Sequence, residues 1–223
     1  MNNIVMSDTL GFNSVSDIIL RGIKFMEIFE IFDTGVSLVL DCKVTFIVLM
    51  LCSFVTIFGK LFPEITTSGY RGFVGIIGAF LGTFNHSDGN HYSGNMICFL
   101  AVSPFLEVIF GTRKYSIIMI ALIIVNSVID YVCNLMSNQL MRGFSGVVFS
   151  LQTLIVYAGG VDNGIELTLL MLSLFYVIKE ISDTFDDSIN NNVLPNGNRI
   201  SHKAHLIGAV VGLVIGWYFK FGQ

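Results

Sequence analysis

Six stretches of this chain are apolar for close to the length that crosses the ~30 Å hydrocarbon layer of a bilayer, which removes most soluble architectures. They cover approximately residues 44–62, 92–110, 115–135, 143–161, 165–181 and 201–219. In lipid no water is at hand for backbone groups, so each stretch must close its own hydrogen bonds as a helix. Composition agrees: 53% of the 223 residues are hydrophobic and 13% charged, with a mean hydropathy of +0.75, too apolar for a soluble domain of this length. The chain has 22 Gly and 20 Phe but only 3 Pro, which suits helices packed through small residues inside an aromatic, lipid-facing shell. A net charge of -4 argues against nucleic acid as a partner, since that role requires a clustered basic face. The expected fold class is an all-α, multi-pass membrane protein with the lipid bilayer as its solvent.

Residues 72–84 are apolar but too short to cross and rich in Gly; they read as a re-entrant or interfacial loop between the first two spans, buried against protein. Residues 18–32 have apolar positions at helical spacing with Arg21, Lys24, Glu27 and Glu30 between them, the pattern of a helix lying on the membrane surface. Residues 1–43 therefore read as an N-terminal extension and 44–223 as a six-helix domain. Charges throughout the extension argue against a cleavable signal peptide, which leaves the first span as the targeting signal. Arg113, Lys114 and Lys220 favour a cytosolic location for their side, against Arg199 and Lys203 on the other, and an even number of spans places both termini together, with the cytosol the preferred side. The polar stretch 182–199, with Asp183, Asp186 and Asp187, reads as an exposed, mobile loop. Cys42, Cys52, Cys98 and Cys133 form no CxxC pair and read as small structural hydrophobes.

Polar groups inside apolar spans are expensive, so they mark function by default. His91 and Asn95 are spaced i, i+4 and share one helix face, where they can point two donors at one oxygen. Ser145 stands in Gly143-Phe-Ser145-Gly146, where missing side chains let another helix or a peptide approach its hydroxyl. His205 precedes a stripe of small residues, Gly208, Gly212 and Gly216, that would let its helix pack on the one carrying Ser145. A neutral imidazole in reach of a serine hydroxyl is the nucleophile and base of acyl transfer. Each group has a plainer reading. Ser145 could be a helix cap, His205 a contact between helices or a member of a proton relay, and His86 with His91 part of a metal site.

Taken together, and in this order, His86-x4-His91-x3-Asn95, Gly143-Phe-Ser145-Gly146 and Ala204-His205-Leu-Ile-Gly208 resemble the motifs of rhomboid proteases. The resemblance covers the six spans, about four fifths of the chain. It implies a six-helix bundle with a membrane-embedded first loop and a serine endopeptidase that cuts membrane-protein substrates at helix-destabilised transmembrane segments. It also implies that no metal or organic cofactor takes part. By this resemblance Ser145 is the nucleophile and His205 the base, while His91, Asn95 and the Ser145 amide form an oxyanion hole. His86 supports the loop above them, and Phe149 stacks on the His205 ring. Because the pattern places no Asp in reach, stacking alone is expected to orient the base. Glu107 resembles a family position that braces the cytoplasmic end. The Trp-Arg pair that many family members carry in the first loop is missing, and Tyr70-Arg71 resembles it. The competing reading is a catalytically inactive rhomboid-like protein that binds or chaperones membrane clients.

Overall fold

A computed structural model describes residues 41–61, 72–137, 143–158, 167–190 and 202–222. They form seven helices and, among the described residues, no strand: α1 (Lys43–Leu61), α2 (Gly72–Phe84), α3 (Gly89–Phe110), α4 (Thr112–Ser137), α5 (Ser145–Ala158), α6 (Leu167–Asn190) and α7 (His202–Phe221). The chain divides after Asp41, and all seven helices belong to the second unit, Cys42–Gln223. The surface helix expected at 18–32 and the Tyr70-Arg71 pair lie outside the described residues.

Lys43–Leu61, Gly89–Phe110, Thr112–Val132 and Ala204–Phe221 are long and apolar enough to cross a membrane. Phe54, Ile97, Val108, Ile120 and Trp217 stand exposed on them, as a lipid-facing surface requires. This is a multi-pass integral membrane protein. Helix α5 is different: only 14 residues long, it is buried without interruption from Val147 to Ile155. A helix that is apolar nearly all round belongs inside, and α5 packs against α3, α4, α6 and α7.

Two expectations change. Residues 72–84 form a helix rather than a loop, because 13 residues without proline can close their own backbone bonds. Packing offsets the helix cost of their glycines: Ala79 and Phe84 are buried, and the Thr83 and Ser127 hydroxyls bond across to α4 at 2.8 Å. The polar stretch after Ile181, expected as a loop, continues α6 to Asn190. There Lys179 and Asp183 form an i, i+4 ion pair, which supports a helix that composition alone would end.

Between α3 and α4 the chain turns through Gly111 at φ +74°, a conformation that L side chains rarely adopt. Just before the turn, buried Glu107 accepts hydrogen bonds from the amides of Val44 (3.0 Å) and Thr45 (2.9 Å) and from the Thr45 hydroxyl (3.0 Å). It thereby satisfies the first turn of α1, as an N-cap side chain would. Thr45, Ser103 and Tyr115 continue the network through contacts of 2.7 Å. At the start of α4, Lys114 donates to the Phe219 carbonyl at 3.1 Å and caps the end of α7.

Candidate active site

Helices α5 and α7 run parallel and almost touch through their backbones. A Cβ on Gly208 would lie 2.3 Å from the Gly146 oxygen, and one on Gly212 would lie 2.0 Å from the Ser150 oxygen. Both pairs are 62 residues apart (208 − 146 and 212 − 150), so the same register sets His205 level with Gly143, at the turn that leads into Ser145. Hydroxyls hold the seam: Ser150 donates to the Gly208 carbonyl and Thr153 to the Ala209 carbonyl, each at 2.7 Å. On its other side Gly146 faces Asn126 of α4, whose Oδ1 would be 2.8 Å from an added Cβ.

Two rings from two other helices hold the imidazole. His205 stacks on Phe149 with centroids 4.7 Å apart and planes at 14°, and Tyr176 of α6 backs Phe149 at 5.2 Å. One turn after Tyr176, Glu180 sits in the bundle, with its Oε1 2.6 Å from His205 Nδ1 and also 2.6 Å from His202 Nδ1. The expectation that no carboxylate reaches the base is therefore corrected: stacking and a carboxylate both act on it. Glu180 belongs to none of the sequence motifs; its one signal is that it is an acidic residue inside the apolar run 165–181. Among the described residues none hydrogen-bonds the Ser145 hydroxyl, and such bonds often tighten only with substrate.

The second wall comes from α3. Asp88 caps this helix, in extended backbone, by accepting the His91 amide at 2.8 Å; that bond and the Ser87 hydroxyl hold its carboxyl below the usual range. The cap starts the helix where His91 and Asn95 face the turn before Ser145. A Cβ on Gly143 would lie 2.7 Å from His91 Cε1 and 3.7 Å from Asn95 Nδ2. Position 143 therefore needs glycine for space as well as for its φ of +123°. Asn95 Nδ2 is enclosed and has no hydrogen-bond partner among the described residues.

His86 lies beside this turn, between α2 and α3, and is 2% exposed. Its Nε2 accepts the Phe144 amide at 3.4 Å, so the ring proton sits on Nδ1, 3.0 Å from the Thr56 hydroxyl. The ring is held neutral: burial, then the neighbouring His91, lower its pKa from 6.5 to about 3. With Gly143 donating to the Gly82 carbonyl at 3.0 Å, the turn before Ser145 is tied to the α2–α3 junction. Asn85, part of a glycosylation sequon, is buried against Gly59.

The structure thus brings Ser145, Gly146, Phe149, His205 and Gly208 together at the α5–α7 seam, with His91, Asn95 and Gly143 on the α3 side and His86 next to them. His86 and His91 lie 5.2 Å apart, edge to face. Among the described residues, however, the group that gathers three metal-type donors is Glu180, His202 and His205, within 4.8 Å of one another. A hydroxyl, an imidazole held by a carboxylate, and an unpaired amide donor are the parts that acyl transfer requires. The sequence matches a family model described as Rhomboid domain over residues 75–220. Among curated proteins no relative matches.

Proposed function

The chain belongs to the rhomboid family, intramembrane proteases and their inactive relatives, and from that premise we propose that it is an active serine endopeptidase. Its substrates are membrane proteins whose transmembrane segments unwind readily, and the bond cut lies in or near such a segment. The observation that carries this reading is the buried Asn95 Nδ2 without a partner. An enclosed, unpaired donor costs about 1–3 kcal/mol, a cost understandable where a transition state supplies the missing acceptor.

In the proposed reaction the Ser145 oxygen attacks the scissile carbonyl carbon while its proton passes to His205 Nε2. Negative charge then collects on the carbonyl oxygen, where Asn95 Nδ2, His91 and the Ser145 amide donate to it. Each such donor is worth roughly 3–4 kcal/mol in comparable sites. Collapse breaks the C–N bond and His205 returns the proton to the leaving amine; water repeats the sequence on the acyl enzyme. For neutral His91 to donate through Nε2 its Nδ1 must accept, and the Ser87 hydroxyl, 3.3 Å from that atom, must then turn its proton from Asp88 Oδ2 to the ring.

Labelling with a fluorophosphonate in detergent tests the proposal. Wild type should be labelled at Ser145, and Ser145→Ala and His205→Ala should each lose cleavage of a helix-destabilised model substrate while remaining folded. Cleavage at the wild-type rate by either variant overturns the reading. A folded wild type that is neither labelled nor active places the chain among the inactive relatives. Chelators should leave the rate unchanged, and inhibition reversed by added zinc would point to metal chemistry.

A further inference from the structure

His205 and His202 lie one turn apart on α7, with perpendicular rings 6.1 Å apart, and both direct Nδ1 at one oxygen of Glu180 on the neighbouring helix. We propose that Glu180 is the positioning carboxylate of His205 and completes a Ser145–His205–Glu180 triad, with His202 as the second donor that fixes the carboxylate. The inference rests on the reading of Ser145 and His205 as nucleophile and base.

The chemistry follows from the geometry. A carboxylate oxygen has lone pairs for two N–H donors, and at 2.6 Å both nitrogens are in direct hydrogen-bond contact with it, slightly inside the ~2.7–2.9 Å usual for a charge-assisted N–H···O bond. With Nδ1–H given to Glu180, the His205 lone pair lies on Nε2, the nitrogen that must take the Ser145 proton. When that proton arrives, the ring becomes imidazolium beside an ionised carboxylate; Glu180 keeps its charge and takes no proton. His202 holds Glu180 Oε1 from the other side, so the carboxylate cannot turn away when His205 moves. Phe149 fixes the plane of the His205 ring, and Glu180 fixes which nitrogen faces Ser145. Stacking cannot make that second choice, because a ring flipped by 180° stacks equally well.

The same three side chains could be taken for a metal site, but their spacing fits shared protons better. Two ligands on one tetrahedral zinc at 2.0–2.1 Å stand about 3.3 Å apart, whereas both nitrogens are 2.6 Å from Oε1. Other titratable groups near His205 are His91 from α3 and, through Glu180, Tyr176 from α6.

The test compares single-turnover cleavage over pH 5–9 for wild type, Glu180→Gln and Glu180→Asp in detergent, with fluorophosphonate labelling alongside. Glu180→Gln should lower the plateau rate roughly a hundredfold or more at unchanged apparent KM. It should also move the acid limb of the rate profile to lower pH, because the imidazolium loses its counter-charge. Glu180→Asp should recover part of the rate and return the limb toward its wild-type position. A plateau within twofold of wild type and an unmoved limb would overturn the proposal, as would a fall in folded protein with no shift of the limb. If Glu180→Gln does not fold, 15N-histidine spectra of wild type decide: His205 protonated on Nδ1 supports the triad, and His205 protonated on Nε2 refutes it. Failure of the underlying reading looks different, since Ser145→Ala would then cleave like wild type and the triad would fall with the dyad.

Discussion

Adding one methyl group at Gly208 should uncouple the two helices that carry Ser145 and His205. The new Cβ would stand 2.3 Å from the Gly146 oxygen and 2.9 Å from its Cα and carbonyl carbon, all backbone atoms that cannot rotate aside. Ordinary contact begins at 3.4 Å, so α7 must retreat by about 1.1 Å (3.4 − 2.3). That displacement stretches the Ser150–Gly208 and Thr153–Ala209 bonds from 2.7 Å to about 3.8 Å (2.7 + 1.1), beyond hydrogen-bond range. Two bonds of ~0.6 kcal/mol in a membrane setting, plus the lost packing, amount to about 1–2 kcal/mol. The kinetic loss should be larger, since a reacting group misplaced by ~1 Å can cost on the order of a hundredfold in rate. Thermal unfolding in detergent and single-turnover cleavage measure the two effects separately. Gly94→Ala is the control, because nothing lies within 4 Å of the added atom, and it should resemble wild type. If Gly208→Ala keeps both the wild-type midpoint and the wild-type rate, α5 and α7 do not meet at this seam.

Asn95→Ala should lower the single-turnover rate constant roughly tenfold to a thousandfold with little change in apparent affinity, as expected when one oxyanion donor is removed. Weaker binding at an unchanged rate constant would move Asn95 to substrate recognition. Phe149→Ala should slow turnover by freeing the His205 ring, and Phe149→Tyr should be tolerated because the aromatic face survives; equal behaviour of the two would discount stacking. His86 gives a pH signature. Its folded pKa, lowered from 6.5 to about 3, means that its contribution to stability is complete above pH 6.5 and is lost as the pH falls toward 3. At pH 4 the loss is about 3 kcal/mol (1.36 × 2.5). The detergent melting midpoint of wild type should therefore drop between pH 7 and pH 4 more than that of His86→Gln, and equal drops would contradict the neutral, proton-accepting role.

The sequence revealed the parts whose cost or periodicity is local. Apolar runs mark the long helices within a few residues, and His91 and Asn95 share a face because helical spacing alone decides that. Apart from the family motifs, Ser145 and His205 could be paired only through the glycine stripe, which does bring their helices together. Two kinds of feature were hidden. The first was helical structure in atypical composition: Gly-rich α2, stabilised by packing against α1 and α4, and the acidic end of α6, extended by the Lys179–Asp183 pair. The second was partnership across distant segments. Glu180 reads in sequence as one of a few charges near a span end, and only the α6–α7 packing shows that two imidazoles share it.

Glu107 has a consequence for how the chain is made. The carboxylate that caps α1 is supplied by α3, 62 residues after Thr45, so until α3 is made the amides of Val44 and Thr45 lack this acceptor. Glu107 in turn must enter the membrane near the end of α3, as a carboxylate whose cost is lowered when those amides are there to meet it. Each segment corrects the defect of the other, and a hairpin of the two is a better guest for the membrane than either alone. Insertion of the two is thus expected to be cooperative, with α1 settling fully only once α3 supplies its acid. Replacing Glu107 would then be felt during biogenesis, as segments that fail to leave the translocon together, before it is felt in the finished protein.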